Sequence, residues 1–83
     1  MELELAFGQV LRDYRQKAEL SQEALALACD LDRTYISLLE RGRRQPTLKS
    51  MFKICRVLNV SPEDFVGKVN ELTRSRNPHP QRH

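Results

Sequence analysis

Apolar residues in this chain recur every three or four positions, and charged residues fill the intervals. Phe7, Leu11 and Tyr14 follow this spacing, with Val10 beside them. They predict an amphipathic helix from near Leu3 to Ala18, with Arg12, Asp13, Gln16 and Lys17 on its outer face. Gly8 lowers helix propensity and suggests a close packing contact. A second helix starts at Ser21 and carries Leu25, Ala26 and Cys29 inward. The polar break Asp30-Leu31-Asp32 ends it. A third helix points Ile36 and Leu39 inward and stops at Gly42. Ser21 and Asp32 are at N-cap positions.

After the loop Arg43-Arg44-Gln45-Pro46, Thr47 caps a fourth helix with an inward stripe of Leu48, Met51 or Phe52, Cys55 and Leu58. Ser61-Pro62-Glu63-Asp64 is a strong helix start: a cap, a proline at the first position and acids in the first turn. The fifth helix carries Phe65, Val66, Val69 and Leu72 and reaches Leu72 or Thr73. That stripe either packs on helices one and four or serves in part as a dimer interface. No strand-like alternation occurs. The expectation is an all-α, compact five-helix bundle over residues 1–73, followed by a basic, disordered tail over 74–83.

Eighty-three residues suffice for one small domain, and 40% apolar content gives it a modest core. Association between copies would add to its stability. The net charge is only +3, but it is unevenly spread. Arg41, Arg43, Arg44, Lys49, Lys53 and Arg56 follow the third helix, whereas acids concentrate before Asp32. Such a surface suits a polyanion. Cys29 and Cys55 lack paired metal-ligand spacing and occupy apolar positions, so they read as buried free thiols. His79 and His83 are too few for a metal site. The acidic start, Glu2 and Glu4, has no apolar run, so neither a signal peptide nor a membrane span is expected. There is no glycine-rich phosphate loop, no catalytic carboxylate pair and no Ser/His/acid set. The chain is not expected to be an enzyme, nor to use a cofactor, metal or small-molecule ligand.

The first turn of the third helix offers Arg33, Thr34 and Tyr35, with Ser37 and Leu38 one turn on. Such side chains can bond base edges and phosphates in a major groove. Ser21-Gln22-Glu23, Leu25-Ala26, Arg33-Thr34-Tyr35-Ile36-Ser37 and Leu39-Glu40-Arg41-Gly42 resemble the helix-turn-helix of lambdoid phage repressors and Cro-like regulators. The resemblance runs from about Phe7 to Leu58 and is nearest to short stand-alone members, such as restriction–modification controller proteins.

The resemblance implies a lambda-repressor-like DNA-binding domain and a transcriptional regulator that binds a palindromic operator as a homodimer. Its recognition helix would span about residues 33–41. Arg33, Thr34, Ser37 and Leu38 would contact bases; Gln22, Tyr35, Arg43, Arg44 and Lys49 would contact phosphates. Arg76 or Arg82 in the tail would add weak phosphate contacts. Arg15 and Glu40 would form an internal ion pair. Phe65, Val66, Val69 and Leu72 would form the dimer interface. The partners would be double-stranded DNA, a second copy and, at a promoter, RNA polymerase. The setting would be the cytoplasm of a bacterium or phage-infected cell. Three residues depart from the family pattern: Asp30 stands where glycine is usual in the turn, Cys29 where a small alanine is usual, and Asp32 where serine or threonine is usual. The alternative is an antitoxin-like interaction module, although the short tail offers little surface for wrapping a toxin.

Overall fold

The computed structural model describes residues 1–75, and among these it has five helices and no strand. They are α1 (Leu3–Lys17), α2 (Gln22–Cys29), α3 (Arg33–Glu40), α4 (Leu48–Leu58) and α5 (Pro62–Ser75). Three starts are capped by side chains. The Ser21, Thr47 and Ser61 hydroxyls each accept from the backbone N–H three residues on, at 3.0 Å. Asp32 holds the N-cap position of α3 in extended conformation, but its carboxylate makes no capping bond. The α5 helix runs through Arg74 and Ser75, beyond the expected stop at Leu72 or Thr73. Arg76, His79, Arg82, His83 and the rest of the expected tail lie outside the described residues.

The core collects Ala6, Phe7, Val10 and Leu11 from α1, Leu25, Ala26 and Cys29 from α2, and Ile36 and Leu39 from α3. Ile54, Cys55 and Leu58 from α4 and Phe65 and Val69 from α5 complete it. The α1 helix packs on α5 and α3, α2 packs on α3 and α4, and α4 meets α5. Phe65 is fully buried, its ring 5.1 Å from that of Phe7 and 5.6 Å from that of Tyr14. Burial of such a side chain contributes about 1.5–3 kcal/mol. The two α1 aromatics therefore anchor α5 inside the protomer. Of the four residues expected at a dimer interface, Phe65 and Val69 belong to the protomer's own core, and Leu72 packs partly against it. Val66 alone of the four is well exposed, at 47%.

The α4 stripe is also rotated from its expected place. Ile54 is fully buried, whereas Leu48 and Phe52 are 70% and 47% exposed. Met51 is half-buried at the edge of the core. Cys29 and Cys55 are buried free thiols, and the Cys29 thiol donates to the Lys53 carbonyl at 3.8 Å. Burial raises the pKa of both, with nearby Lys53 partly opposing the rise at Cys29. No described helix is long and apolar enough to cross a membrane.

Candidate nucleic-acid interface

Two backbone devices set the angle and length of α3. Asp30 takes φ 58° and ψ 44°, the left-handed conformation, and its own N–H donates to the Leu27 carbonyl at 3.2 Å. Leu31 then returns a 2.8 Å bond to the Ala26 carbonyl, closing the turn between α2 and α3. At the far end Gly42 has φ +74°, and the next N–H, of Arg43, donates to the Leu38 carbonyl at 2.9 Å. The α3 helix is thus a short helix held between two left-handed residues.

Its inner face is Ile36, Leu39 and Glu40, all buried. Glu40 is the sole buried carboxylate among the described residues and it is fully engaged. Arg15 grips it with two nitrogens: Nε donates to Oε2, and Nη2 donates to Oε1 at 3.0 Å. The third arginine nitrogen, Nη1, donates to the Leu20 carbonyl at 2.8 Å. Gln22 Nε2 adds a 3.0 Å bond to Oε1, and Arg12 Nε lies 3.6 Å from the same oxygen. Hydrogen bonding to Glu40 raises the pKa of Arg15 and outweighs the opposing effect of burial. This network joins α1, the start of α2 and the end of α3. Arg12 was not singled out in the sequence as a Glu40 partner, although it stands three residues before Arg15 and so on the same helix face.

The outer face of α3 is polar and accessible. Arg33 and Thr34 are exposed in its first turn, and Tyr35, Ser37 and Leu38 are half-buried. Tyr35 reaches toward the following loop, where its hydroxyl accepts from the Thr47 N–H at 3.3 Å. The Arg44 guanidinium lies 5.5 Å from the Tyr35 ring centroid, a cation–π contact. Lys49 is exposed in the first turn of α4. Gln22, half-buried, has its amide nitrogen committed to Glu40. Arg33, Thr34, Ser37 and Leu38 therefore share α3, and Tyr35, Arg44 and Lys49 gather where the loop meets α4. Arg43 goes elsewhere, into a cleft beside α1.

Residues 11–65 match the helix-turn-helix family model. The chain belongs to this family. Its helix-turn-helix relatives include control protein C.BamHI of Bacillus amyloliquefaciens, 48% identical over 65 residues that cover 77% of this chain and 80% of that protein. Among solved structures, the restriction-modification controller protein C.AhdI of Aeromonas hydrophila is 39% identical, with a TM-score of 0.71, over 74% of this chain and 92% of that one. A further similar structure is the restriction-modification controller protein C.Esp1396I, a tetramer in complex with its natural 35-base-pair operator. It is 35% identical, with a TM-score of 0.76, over 86% of this chain and 93% of that one. The left-handed turn at Asp30 and the Arg15–Glu40 pair set the helix-turn-helix angle in this member.

Proposed function

We propose that this protein is a cytoplasmic, sequence-specific DNA-binding transcriptional regulator. It acts by occupying a promoter and not by catalysis. Two copies present α3 to successive major grooves on one side of a palindromic operator, about 34 Å apart. Arg33 reads a guanine through its O6 and N7, Thr34 and Ser37 add smaller contacts, and Leu38 meets a thymine methyl. Gln22, Tyr35, Arg43, Arg44 and Lys49 fix the register on phosphates. At the promoter, the bound protein either blocks RNA polymerase or touches it.

The observation that carries this reading is the division of α3 into two faces. Ile36, Leu39 and Glu40 are buried and fix the helix, while Arg33 and Thr34 stand exposed at its leading turn. The operator complex of the similar C.Esp1396I supports the same reading.

The second copy binds on the α4–α5 side. Leu48 and Phe52 are exposed one helical turn apart on α4, and Val66 is exposed on α5. Met51 and Val66 line a common gap. These residues replace Phe65 and Val69, which the protomer buries for itself. Selection of bound duplexes from a random pool tests the function. A palindromic enriched site supports it, and a pool with no enrichment rejects it.

A further inference from the structure

Arg43 and Arg44 are neighbours in sequence but leave their loop in different company. Arg44 lies against Tyr35. Arg43 joins Met1, Leu5, Gln9, Arg12, Glu40 and Arg41 around a cleft of about 440 Å³ between α1 and the end of α3. Three guanidinium groups thus surround one concavity. Among the described residues, the only carboxylate in its lining is that of Glu40, whose oxygens are already held by Arg15 and Gln22. The cleft keeps an excess of positive charge.

Two of the three arginines are anchored as well as charged. Arg12 is tethered by Glu40 at 3.6 Å yet remains 47% exposed on its side chain. Arg41 folds back so that its Nε donates to the Ser37 carbonyl at 3.5 Å. Each is exposed to solvent, with guanidinium N–H groups beyond those two contacts. A guanidinium with part of its donor set tied down is pre-organised for a tetrahedral oxyanion.

The length of α3 says which oxyanion. From Arg33 to Arg41 the helix rises by about 12 Å, at roughly 1.5 Å per residue. A recognition helix enters the major groove by its N-terminal residues, and the groove is only about 8.5 Å deep. With Arg33 at the base edges, the other end of α3 comes level with the sugar–phosphate wall. We infer that Arg12, Arg41 and Arg43 form a phosphate clamp that holds the DNA backbone on the α1 side of the loop, opposite the Tyr35–Arg44–Lys49 group on the α4 side. Arg12 makes α1 a DNA-contacting helix. This inference rests on the proposed DNA reading and names a contact set beyond it.

The test compares wild-type protein with Arg12→Ala, Arg12→Lys and Arg41→Ala. Affinity is measured across a salt series for the selected operator and for random duplex, and denaturant midpoints are taken alongside. Arg12→Ala is expected to weaken both duplexes by the same factor and to lower the salt slope by about two units, one for each copy bound, keeping base preference intact. Arg12→Lys, which retains the charge, is expected to recover most of the slope. Wild-type affinity and slope in Arg12→Ala, while the wild-type protein still selects its operator, would overturn the clamp and leave the DNA reading standing. A wild-type protein that binds no duplex overturns both. A titration of each variant with a free nucleoside triphosphate separates the other phosphate source. Loss of triphosphate binding by Arg12→Ala with unchanged duplex binding overturns the clamp in favour of a free-phosphate site.

Discussion

Gly8 of α1 rests directly on the end of α3: a β-carbon at this position would come within 2.5 Å of the Glu40 carbonyl oxygen and 2.6 Å of that of Leu39. Both neighbours are backbone and cannot swing away. The same contact that lets Arg12 and Arg15 reach Glu40 therefore depends on the missing side chain. In an open helix, Gly8→Ala would add about 1 kcal/mol through helix propensity. Here the clash outweighs that gain, and the variant is expected to lose about 1–3 kcal/mol, the usual range for overpacking. Denaturant melts decide the sign. A variant more stable than wild type would mean that α1 and α3 are not in this contact.

Glu40 is the second support of the same joint. Glu40→Ala leaves the Arg15 guanidinium, only 12% exposed on its side chain, without its main partner. Breaking one side of such a pair costs about 3–5 kcal/mol, and partial access of Arg15 to water puts this one near the lower end. That is a large share of the roughly 5–15 kcal/mol available to a native protein. Equal denaturation midpoints for Glu40→Ala and wild type would show that the pair does not hold the fold.

The turn between α2 and α3 offers a change in the opposite direction. Asp30 adopts φ 58° at a helix end where glycine is unstrained. Asp30→Gly should remove roughly 1 kcal/mol of left-handed strain, partly offset by the entropy of a freer unfolded chain. The expected result is a midpoint shifted slightly upward with unchanged helicity. A fall of more than about 1 kcal/mol would show that the Asp30 side chain is needed.

The sequence made the helices legible because their ends carry local chemistry. Ser21, Thr47 and Ser61 cap within three residues of themselves, and Gly42 and Asp30 end helices through their own backbone angles. The stripes were less complete guides. Apolar spacing locates a helix face, but which neighbour covers it depends on residues far along the chain. Phe65 is buried because Phe7 and Tyr14 of α1 reach it, about sixty and fifty residues away. Ile54 is inside and Leu48 outside because α4 is turned so that Ile54 and Leu58 meet the core. The charged cluster was half legible: Arg15 and Glu40 stand at family positions, whereas Gln22 and Arg12 join them only once three helices converge.

The exposed apolar residues of α4 and α5 make the assembly testable. Phe52→Glu or Val66→Glu places a charge on a surface that the protomer does not bury, so each variant should keep its helicity and its melting behaviour. Each should also shift from dimer toward monomer in sedimentation and bind the operator more weakly, because one half-site supplies only part of the contacts. Phe65→Glu, by contrast, is expected to unfold the protomer by forcing a charge into its core. Dimerisation untouched by both Phe52→Glu and Val66→Glu would move the interface to another face.

The central claim is that the exposed first turn of α3 reads sequence, and Arg33→Ala tests it most directly. The measurement is affinity for the selected operator, for a panel of its single-base variants and for random duplex, compared between this variant and wild type. A bidentate arginine–guanine contact discriminates by about 1–3 kcal/mol. Arg33→Ala is therefore expected to lose its preference at one base pair per half-site by that amount, to keep its preferences elsewhere, and to retain most of its affinity for random duplex. An Arg33→Ala protein that binds every duplex more weakly by the same factor, with the wild-type preference intact at every position, would contradict the assignment of α3 as the reading helix.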